Sequence, residues 1–563
     1  MPPATDRTIR LRHALSIAWL TFAGLASAQP AAPPPPAPAA SNPVAVKFDI
    51  LEFVVVGNSV LPPLAIEKAV YPFLGPGRTL ADAEAARKAL EKAYQDAGYL
   101  SVTVDIPPQR VGDAGELRFN VIEAIVDRLR ITGARYHLPS AIAAEVPSLA
   151  PGSVPNFNDM QDELTQVQRQ SAHREVTPLI AASDTPGAMN VELKVQDKLP
   201  VAGFVELNSK QSLNTERGRL EASLSYDNLF QRQHSFGAYW FYSPRRPEEA
   251  NILSLTYRLP LGDPGDQLFV VLNRSDSNTP TALGGATVTR GNTLGLRWRD
   301  ALPSLPNLEH ALTWGVSYRD LRDRNDDVAG ASVESAPLRY PAFSVQYELT
   351  RTGDATARLS TVEAGVTFGL AGLGRREVDC NGRTVDQFEC RRAGAKPGFV
   401  VLTAGASHRE PFGKGWSVYG RVQGQLALDP LVPAEQITQG GVDSVRGYYE
   451  GEQSGESALA LRLEGATPRL VGVGGAGLKA LLFWDRAVLA RRDPLPGELA
   501  RVQMGSVGIG LRVETDFGLQ ARLDWARVLF DTRRLDSTGT LQPLTGSANG
   551  RDRRWELSVR QAF

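Results

Sequence analysis

From Pro200 to Phe563, polar and apolar residues take alternate positions along a series of short segments. Arg219, Glu221, Ser223 and Ser225 interleave with Leu220, Ala222, Leu224 and Tyr226. Thr293, Gly295, Arg297 and Arg299 interleave with Leu294, Leu296 and Trp298, and Ser506, Gly508, Gly510 and Arg512 with Val507, Ile509, Leu511 and Val513. A period of two is that of a β-strand with one wet and one apolar face. Cut this way, residues 200–563 hold about sixteen strands of roughly 23 residues each with its connection, as an even-stranded antiparallel transmembrane β-barrel allows. A soluble sandwich would also alternate, burying its apolar side. The connections separate the two. Short turns at Leu229-Phe230-Gln231, Gly262-Asp263-Pro264-Gly265, residues 302–307, Thr352-Gly353-Asp354, Phe412-Gly413-Lys414 and Asp516-Phe517-Gly518 alternate with long polar segments at 322–340, 372–397, 429–455 and 531–552. Outer-membrane barrels have this asymmetry, short turns on the periplasmic side and long loops outside, and a sandwich has no cause for it. In the last segment Trp555, Leu557, Val559 and Phe563 share a face that Gln561 interrupts, which leaves an aromatic at the membrane boundary.

The pattern upstream is different. Residues 48–56 form a β-rich run that stops at Gly57-Asn58, and residues 64–73 are a short helix candidate. Thr79-Leu80-Ala81-Asp82 is a capping box opening a longer helix whose Ala83, Ala86, Leu90, Ala93, Tyr94 and Ala97 recur at helical spacing before a stop at Gly98. Strands at 99–106 and 116–121 complete a β-α-α-β-β unit. A second unit repeats it, with 125–132 and Gly133 matching the first strand and Gly57 at an offset of 76 residues (133 minus 57). There Asn158 is expected to cap a helix carrying Met160, Leu164 and Val167, with Gln161 at the capping-box position and strands at 177–182 and 188–195. The domains expected are therefore 48–124, 125–199 and the barrel 200–563.

The N-terminus changes the compartment. Arg7, Arg10 and Arg12 precede an apolar run from Ala14 to Leu25 and then Ala26-Ser27-Ala28. This predicts a secretory signal peptide over 1–28 rather than a membrane anchor, since the run falls short of the roughly 20 residues a spanning helix needs. Residues 29–47 are dominated by Pro and Ala and predict a flexible tether. Two cysteines, Cys380 and Cys390, lie in a polar loop segment. An isolated pair in an exported chain points to a disulfide, two free thiols being the alternative, and the spacing fits no zinc site.

Charge excludes more than it suggests. With 61 basic and 62 acidic residues the net charge is −1, so no global field favours nucleic acid. No nucleotide-binding Gly-x-x-x-x-Gly-Lys-[Ser/Thr] string and no Gly-x-Ser-x-Gly elbow occurs. Six histidines, among them His173, His234 and His408, fit surface or lumen polarity better than catalysis. No catalytic residue, metal ligand or cofactor is expected.

Several motifs carry a resemblance. Ala93-Tyr94-Gln95-Asp96-Ala97-Gly98-Tyr99-Leu100, followed by Pro107-Pro108-Gln109-Arg110, resembles the first POTRA domain of two-partner secretion transporters, the exporters of haemolysins and filamentous haemagglutinins. Asp227-Asn228-Leu229-Phe230 after the second barrel strand, Val445-Arg446-Gly447-Tyr448 within a long loop and Phe483-Trp484-Asp485 in a late strand are similar to the same family, so the resemblance runs from residue 48 to Phe563. It implies two periplasmic POTRA domains and a loop folded back into the barrel lumen. Arg446 would pair there with Asp485 on the wall, beside Phe483; Gly447 would permit a tight bend and Tyr448 would pack on the lumen wall. The sequence departs from the family in placing Arg486-Ala487 after Asp485, where Gly usually stands at the second position. The Pro-rich tether also predicts no long plug helix before the first POTRA domain.

The resemblance implies an outer-membrane translocator that exports, and activates, a partner haemolysin- or haemagglutinin-like polypeptide. That partner would be captured unfolded in the periplasm, with outer-membrane lipid around the barrel and the barrel-assembly machinery reading Phe563. A barrel-assembly or lipid-moving insertase of the same superfamily is the alternative, and two modules rather than a longer array favour export. A passive porin or adhesin would not need the repeated modules.

Overall fold

In a computed structural model the residues described are 47–563, except 113, 172, 214, 263–264, 278–289, 304, 306, 323, 327–331, 335, 354–357, 474, 536–537 and 544–546. The expected signal peptide, nearly all of the tether, the region of any plug helix, and parts of the expected turns at 262–265, 302–307 and 352–354 and of the loops at 322–340 and 531–552 lie outside the described residues. The chain divides into two compact units, one of residues 47–56, 63–90 and 104–120, the other of 57–62, 91–103 and 121–563.

Residues 48–56 do not form one strand. Phe48–Ile50 pairs antiparallel with Gly75–Arg78, whereas Glu52–Val56 pairs parallel with Glu116–Asn120, and exposed Leu51 marks the break because the two halves serve different partners. The capping box forms: Thr79 N donates to Asp82 Oδ2 at 2.8 Å and Asp82 N to Thr79 Oγ1 at 3.4 Å. It opens the helix Leu80–Asp96, whose Ala83, Ala86, Leu90 and Tyr94 are all fully buried along one stripe. The shorter helix is Pro63–Val70 with a 3-10 turn Tyr71–Phe73. Val102–Asp105 and Glu116–Glu123 follow, and the latter is the central strand of a three-stranded sheet.

The next module has the same sheet order, with its last strand Ala188–Asp197 in the middle, parallel to Ile125–Thr132 and antiparallel to Arg174–Ala182. Its main helix is Phe157–Arg169, and the cap is Asn156, not Asn158: Asn156 is still extended and its Oδ1 accepts from Asn158 N at 3.0 Å, whereas Asn158 already lies in the first turn. Gln161 is therefore outside the capping box. A further helix, Pro139–Ala144, was not foreseen, because its six residues are too few to display a period. Val126, Ile142, Leu149, Leu164, Val167, Val191 and Leu193 form the core.

Sixteen strands close the barrel, from Val201–Asn208 and Arg219–Leu229 round to Leu519–Val528 and Arg553–Ala562, and a short strand Val471–Val473 extends one of the hairpins. Every neighbouring pair is antiparallel, and the last strand closes on the first through the register Ser558↔Asn208 to Ala562↔Phe204. Alternation sets the faces. Leu294, Leu296 and Trp298 stand opposite Tyr318, Val316 and Trp314, and all six point outward, exposed. Leu482 and Trp484 face Ile509 and Val507 on the same outer surface. With backbone groups paired around a closed ring, this is an apolar band that a bilayer can solvate. Among the described residues no helix is long and apolar enough to cross a membrane.

Among the described residues, long loops at one end carry structure of their own. Residues 370–399 carry a small hairpin and the helix Gln387–Arg391, joined by a Cys380–Cys390 disulfide with Cα atoms 5.7 Å apart. Phe388 and Phe399 pack against Tyr340 with ring centroids at 4.9 and 6.0 Å, closing an apolar cluster that includes Leu431, Val432 and Ala434 from the loop after the strand Trp416–Ala427.

Candidate functional site: the lumen loop and its seat

Residues 428–456 connect the strands Trp416–Ala427 and Ser457–Ala466 and turn into the barrel interior. Both ends are clamped by charge. At the entry, Glu435 accepts from Tyr340 Oη at 2.5 Å and from Arg319, and at the exit Glu456 pairs with Arg392 at 2.8 Å and accepts from Gln436 Nε2 at 2.9 Å. Ile437–Gln439 then pairs with Gln453–Gly455, so the loop descends as a narrow hairpin. Its tip is held by Gly440 N donating to Ser444 Oγ at 2.8 Å and Val442 N to Glu450 Oε1 at 3.0 Å.

That tip presents the Val-Arg-Gly-Tyr string, and each residue is used differently. Val445 is fully buried with Ala487, Leu489, Met504 and Val528 of the wall. Arg446 forks onto Asp485, with Nε to Oδ2 at 2.7 Å and Nη2 to Oδ1 at 2.8 Å, and its backbone N donates to Oδ2 at 3.1 Å. The planar guanidinium matches a carboxylate bidentately as no ammonium can. Its Cζ lies 3.5 Å from the centroid of Phe483, a cation over an aromatic face. Gly447 has φ +90°, the left-handed bend that brings Arg446 and Tyr448 to the wall, and its N donates to Glu556 Oε1 at 3.3 Å. Tyr448 Oη donates to Phe530 O at 2.7 Å and accepts from Gly505 N at 3.1 Å, so it bridges the strand Arg501–Thr515 and the segment just past Leu519–Val528.

The wall supplies more than the sequence motifs indicated. Glu464 lies 2.8 Å from Arg446 Nη1 and accepts from Arg462 Nη2 at 3.2 Å, and Arg462 stands opposite Asp485 in the ladder. Two arginines and two carboxylates thus balance within one group, Arg446 and Asp485 fully buried and Arg462 and Glu464 partly so, which offsets the desolvation that a lone buried charge would suffer. Phe483 needs room to lie under Arg446, and Gly508 opposite it provides that room: a Cβ there would sit 2.3 Å from the ring. Ala487, where the family has Gly, buries its methyl among Val445 and Met504, so the departure is accommodated by packing.

A second set of contacts fixes the tip to the loop between the first two strands and to the last strand. Lys210 lies 3.0 Å from Glu221 and 3.3 Å from Asp443, Glu450 N donates to Gln211 O at 2.9 Å, and Arg554 stacks over Tyr449 at 3.9 Å. Sequence reading missed Lys210, Asp443, Glu464 and Glu556. The one available signal was parity, since Arg462 and Glu464 share a face of their strand as Phe483 and Asp485 do. Beside the seated loop a cavity of about 740 Å³ remains, lined by wall residues such as Arg297, Arg319 and Glu348 and by Asp443 and Glu450 of the loop.

The three histidines singled out above are engaged in ordinary contacts: His234 Nδ1 is 2.7 Å from Tyr257 Oη, His408 Nδ1 2.8 Å from Ser360 Oγ, and His173 Nε2 3.6 Å from Asp227. At the C-terminus Phe563 exchanges backbone hydrogen bonds of 3.0 Å with Gly203 of the first barrel strand, while its ring is exposed.

Comparison with known proteins gives this geometry relatives. Residues 187–512 match the model of the haemolysin secretion/activation proteins ShlB/FhaC/HecB, and residues 48–124 match the ShlB-type POTRA domain. The chain is 24% identical over 437 residues to the outer membrane transporter CdiB of Escherichia coli O6:K15:H31 (strain 536 / UPEC), covering 74% of this chain and 68% of that one. The solved structure of CdiB from Escherichia coli superposes with a TM-score of 0.60 at 20% identity, covering 94% of this chain and 92% of that one. BamA from Haemophilus ducreyi lacking POTRA domains 1–3 superposes with a TM-score of 0.53 at 13% identity, covering 92% of this chain and 100% of that one, a likeness of fold alone.

Proposed function

Because the chain belongs to the haemolysin secretion/activation family, we infer that its periplasmic modules, its lumen loop and the Arg446 fork are parts of one export device. The protein is an outer-membrane translocator of a secreted partner protein, with its POTRA domain in the periplasm. Residues 125–199 act as a second POTRA domain. The partner arrives unfolded, and an exposed sheet edge beside a helix captures it by β-augmentation, which draws affinity from main-chain hydrogen bonds and so tolerates many sequences.

The observation that carries the mechanism is the fully buried Arg446–Asp485 fork at the tip of a loop that occupies the lumen. In the resting state the fork seats the loop. During export the loop leaves, the chain passes through the space it filled, and folding outside gives direction without a nucleotide or cofactor. No bond chemistry is involved. Residues 1–28 serve as the signal peptide and 29–47 as a tether, lipid solvates the outer band, and the barrel-assembly machinery engages Phe563. The relatives matched in sequence over most of the chain are outer membrane transporters, which favours export over an insertase role.

The test is secretion of the cargo protein with Arg446→Ala and with Asp485→Ala. Export is expected to fail in both with the barrel still inserted, and full export by both removes the proposed role. Deleting residues 48–198 separates capture from passage, since it should abolish export and leave the barrel in the membrane.

A further inference from the structure

The first short turn of the barrel, between the strands Arg219–Leu229 and His234–Tyr242, is built unlike its neighbours. Asn228, Phe230, Gln231 and Gln233 all have φ between 56° and 60°, a region that side chains rarely adopt. Other turns at this end meet the same need with glycine, at Gly265, Gly413, Gly415 and Gly518, or with a single asparagine, Asn307. Such conformations persist where the surroundings hold them, and here the surroundings belong to the module formed by residues 125–199. Asn228 Nδ2 and Gln231 Nε2 each donate to Tyr136 O at 3.1 Å, and Leu138 N donates to Gln231 Oε1 at 3.0 Å. Gln233 Nε2 donates to Glu145 Oε1 at 2.5 Å.

The partner side is equally fixed. Asp197, just before the chain enters the barrel, accepts backbone N–H bonds from Arg135, Tyr136 and His137 at 2.9, 2.7 and 3.1 Å, and so aims the groups at Tyr136 and Leu138 toward the turn. The contact is made of amides, main chain and the Glu145 and Asp227 carboxylates rather than packed apolar surface, and a cavity of about 300 Å³ lies beside it. A small polar junction of this kind would by itself leave the module free to move, so its orientation depends on these few hydrogen bonds.

We propose that Asn228 and Gln231 are positioning residues for export: by gripping Tyr136 and Leu138 they hold the second module's sheet in register with the channel mouth, so that a captured segment is delivered to the lumen. This rests on the export reading. Neither residue touches cargo in this role; both act through the module's orientation.

The experiment uses the full-length transporter with its cargo, spin-labelled through cysteines at Asp162 on the module and Lys414 on a barrel turn. The native Cys380 and Cys390 are bonded to each other and do not interfere. Asn228→Ala/Gln231→Ala should leave the barrel inserted, broaden the Asp162–Lys414 distance distribution and cut export at least tenfold. Gln231→Glu keeps the acceptor for Leu138 N and loses the donor to Tyr136 O, and should fall between. If the double variant inserts poorly, Gln231→Ala alone carries the same comparison. Arg446→Ala is the control, losing export without broadening. Full export with a broadened distribution overturns the proposal, and so does an unbroadened distribution whatever the export. A failure of the export reading itself is distinguishable, because the unsubstituted protein would then secrete nothing while the distance measurement still reports on the grip.

Discussion

Arg446 and Asp485 meet in a two-pronged hydrogen bond at 2.7 and 2.8 Å with neither side chain exposed, although one lies on a loop and the other on the barrel wall. Truncating either partner leaves the other charge buried and uncompensated, which costs roughly 3–5 kcal/mol. Arg446→Ala and Asp485→Ala should each destabilise the seated loop by that order, and the double variant by well under their sum. Native-state hydrogen exchange at residues 442–450 in detergent micelles measures this. Strictly additive losses would mean the two residues act independently.

Tyr448 tests the seat without touching charge. Its hydroxyl is bonded to Phe530 O and Gly505 N, two wall groups that Phe would leave unsatisfied. Tyr448→Phe should weaken seating by about 1–3 kcal/mol and raise the population of the unseated loop accordingly. Single-channel recording in planar bilayers should show more frequent openings than the unsubstituted protein, and an unchanged record would place the seat elsewhere.

These two residues also indicate how far the sequence could be read. Alternation at Leu294, Leu296 and Trp298 declared the lipid face directly, because parity along a strand is a local property that closure of the barrel does not alter. The helix Leu80–Asp96 was equally legible, its cap and stripe lying within one segment. Asn156 was overlooked for Asn158 because both are good caps and only backbone conformation chooses between them. The break at Leu51 depends on which strands the two halves meet, a tertiary matter. For the site, pairing of Arg446 with Asp485 came from a family resemblance, and the contacts of Lys210 with Asp443 and of Gly447 with Glu556 join segments whose proximity exists only once the barrel closes.

The disulfide gives a prediction about topology. Cys380 and Cys390 are ten positions apart, and closing a loop of that size contributes about 2–3 kcal/mol by chain entropy. The loop also has an apolar core in Phe388 and Phe399 against Tyr340, so it should not unfold outright without the bond. In Cys380→Ser/Cys390→Ser, protease added to intact cells should cut within residues 371–399 much faster than in the unsubstituted protein, while barrel insertion is unchanged. Cleavage only after the outer membrane is permeabilised would reverse the assigned orientation.

Acid should loosen the segment that grips the first turn. Burial lowers the pKa of His137 below its usual value; the hydrogen bond its ring donates to Asp197 opposes this, and the charges of Arg174 and His173 add to it. Burial would raise that of Asp197, but the N–H groups of Tyr136 and Arg135 and the contacts with His137 leave it below the ordinary carboxylate range. For both groups the folded pKa lies under the unfolded one, so the unfolded chain binds more protons and stability is lost as pH falls. The His137 contribution goes first, below about pH 6.5, and that of Asp197 only below about pH 4. Glu145, raised chiefly by burial, has the opposite sign and gains from protonation, which offsets part of the loss. Protection factors of the Arg135, Tyr136 and His137 amides in the full-length protein should therefore drop between pH 7 and 5.5. In His137→Asn, which stays neutral, the drop should shrink, and a drop of the same size would assign the effect to another group.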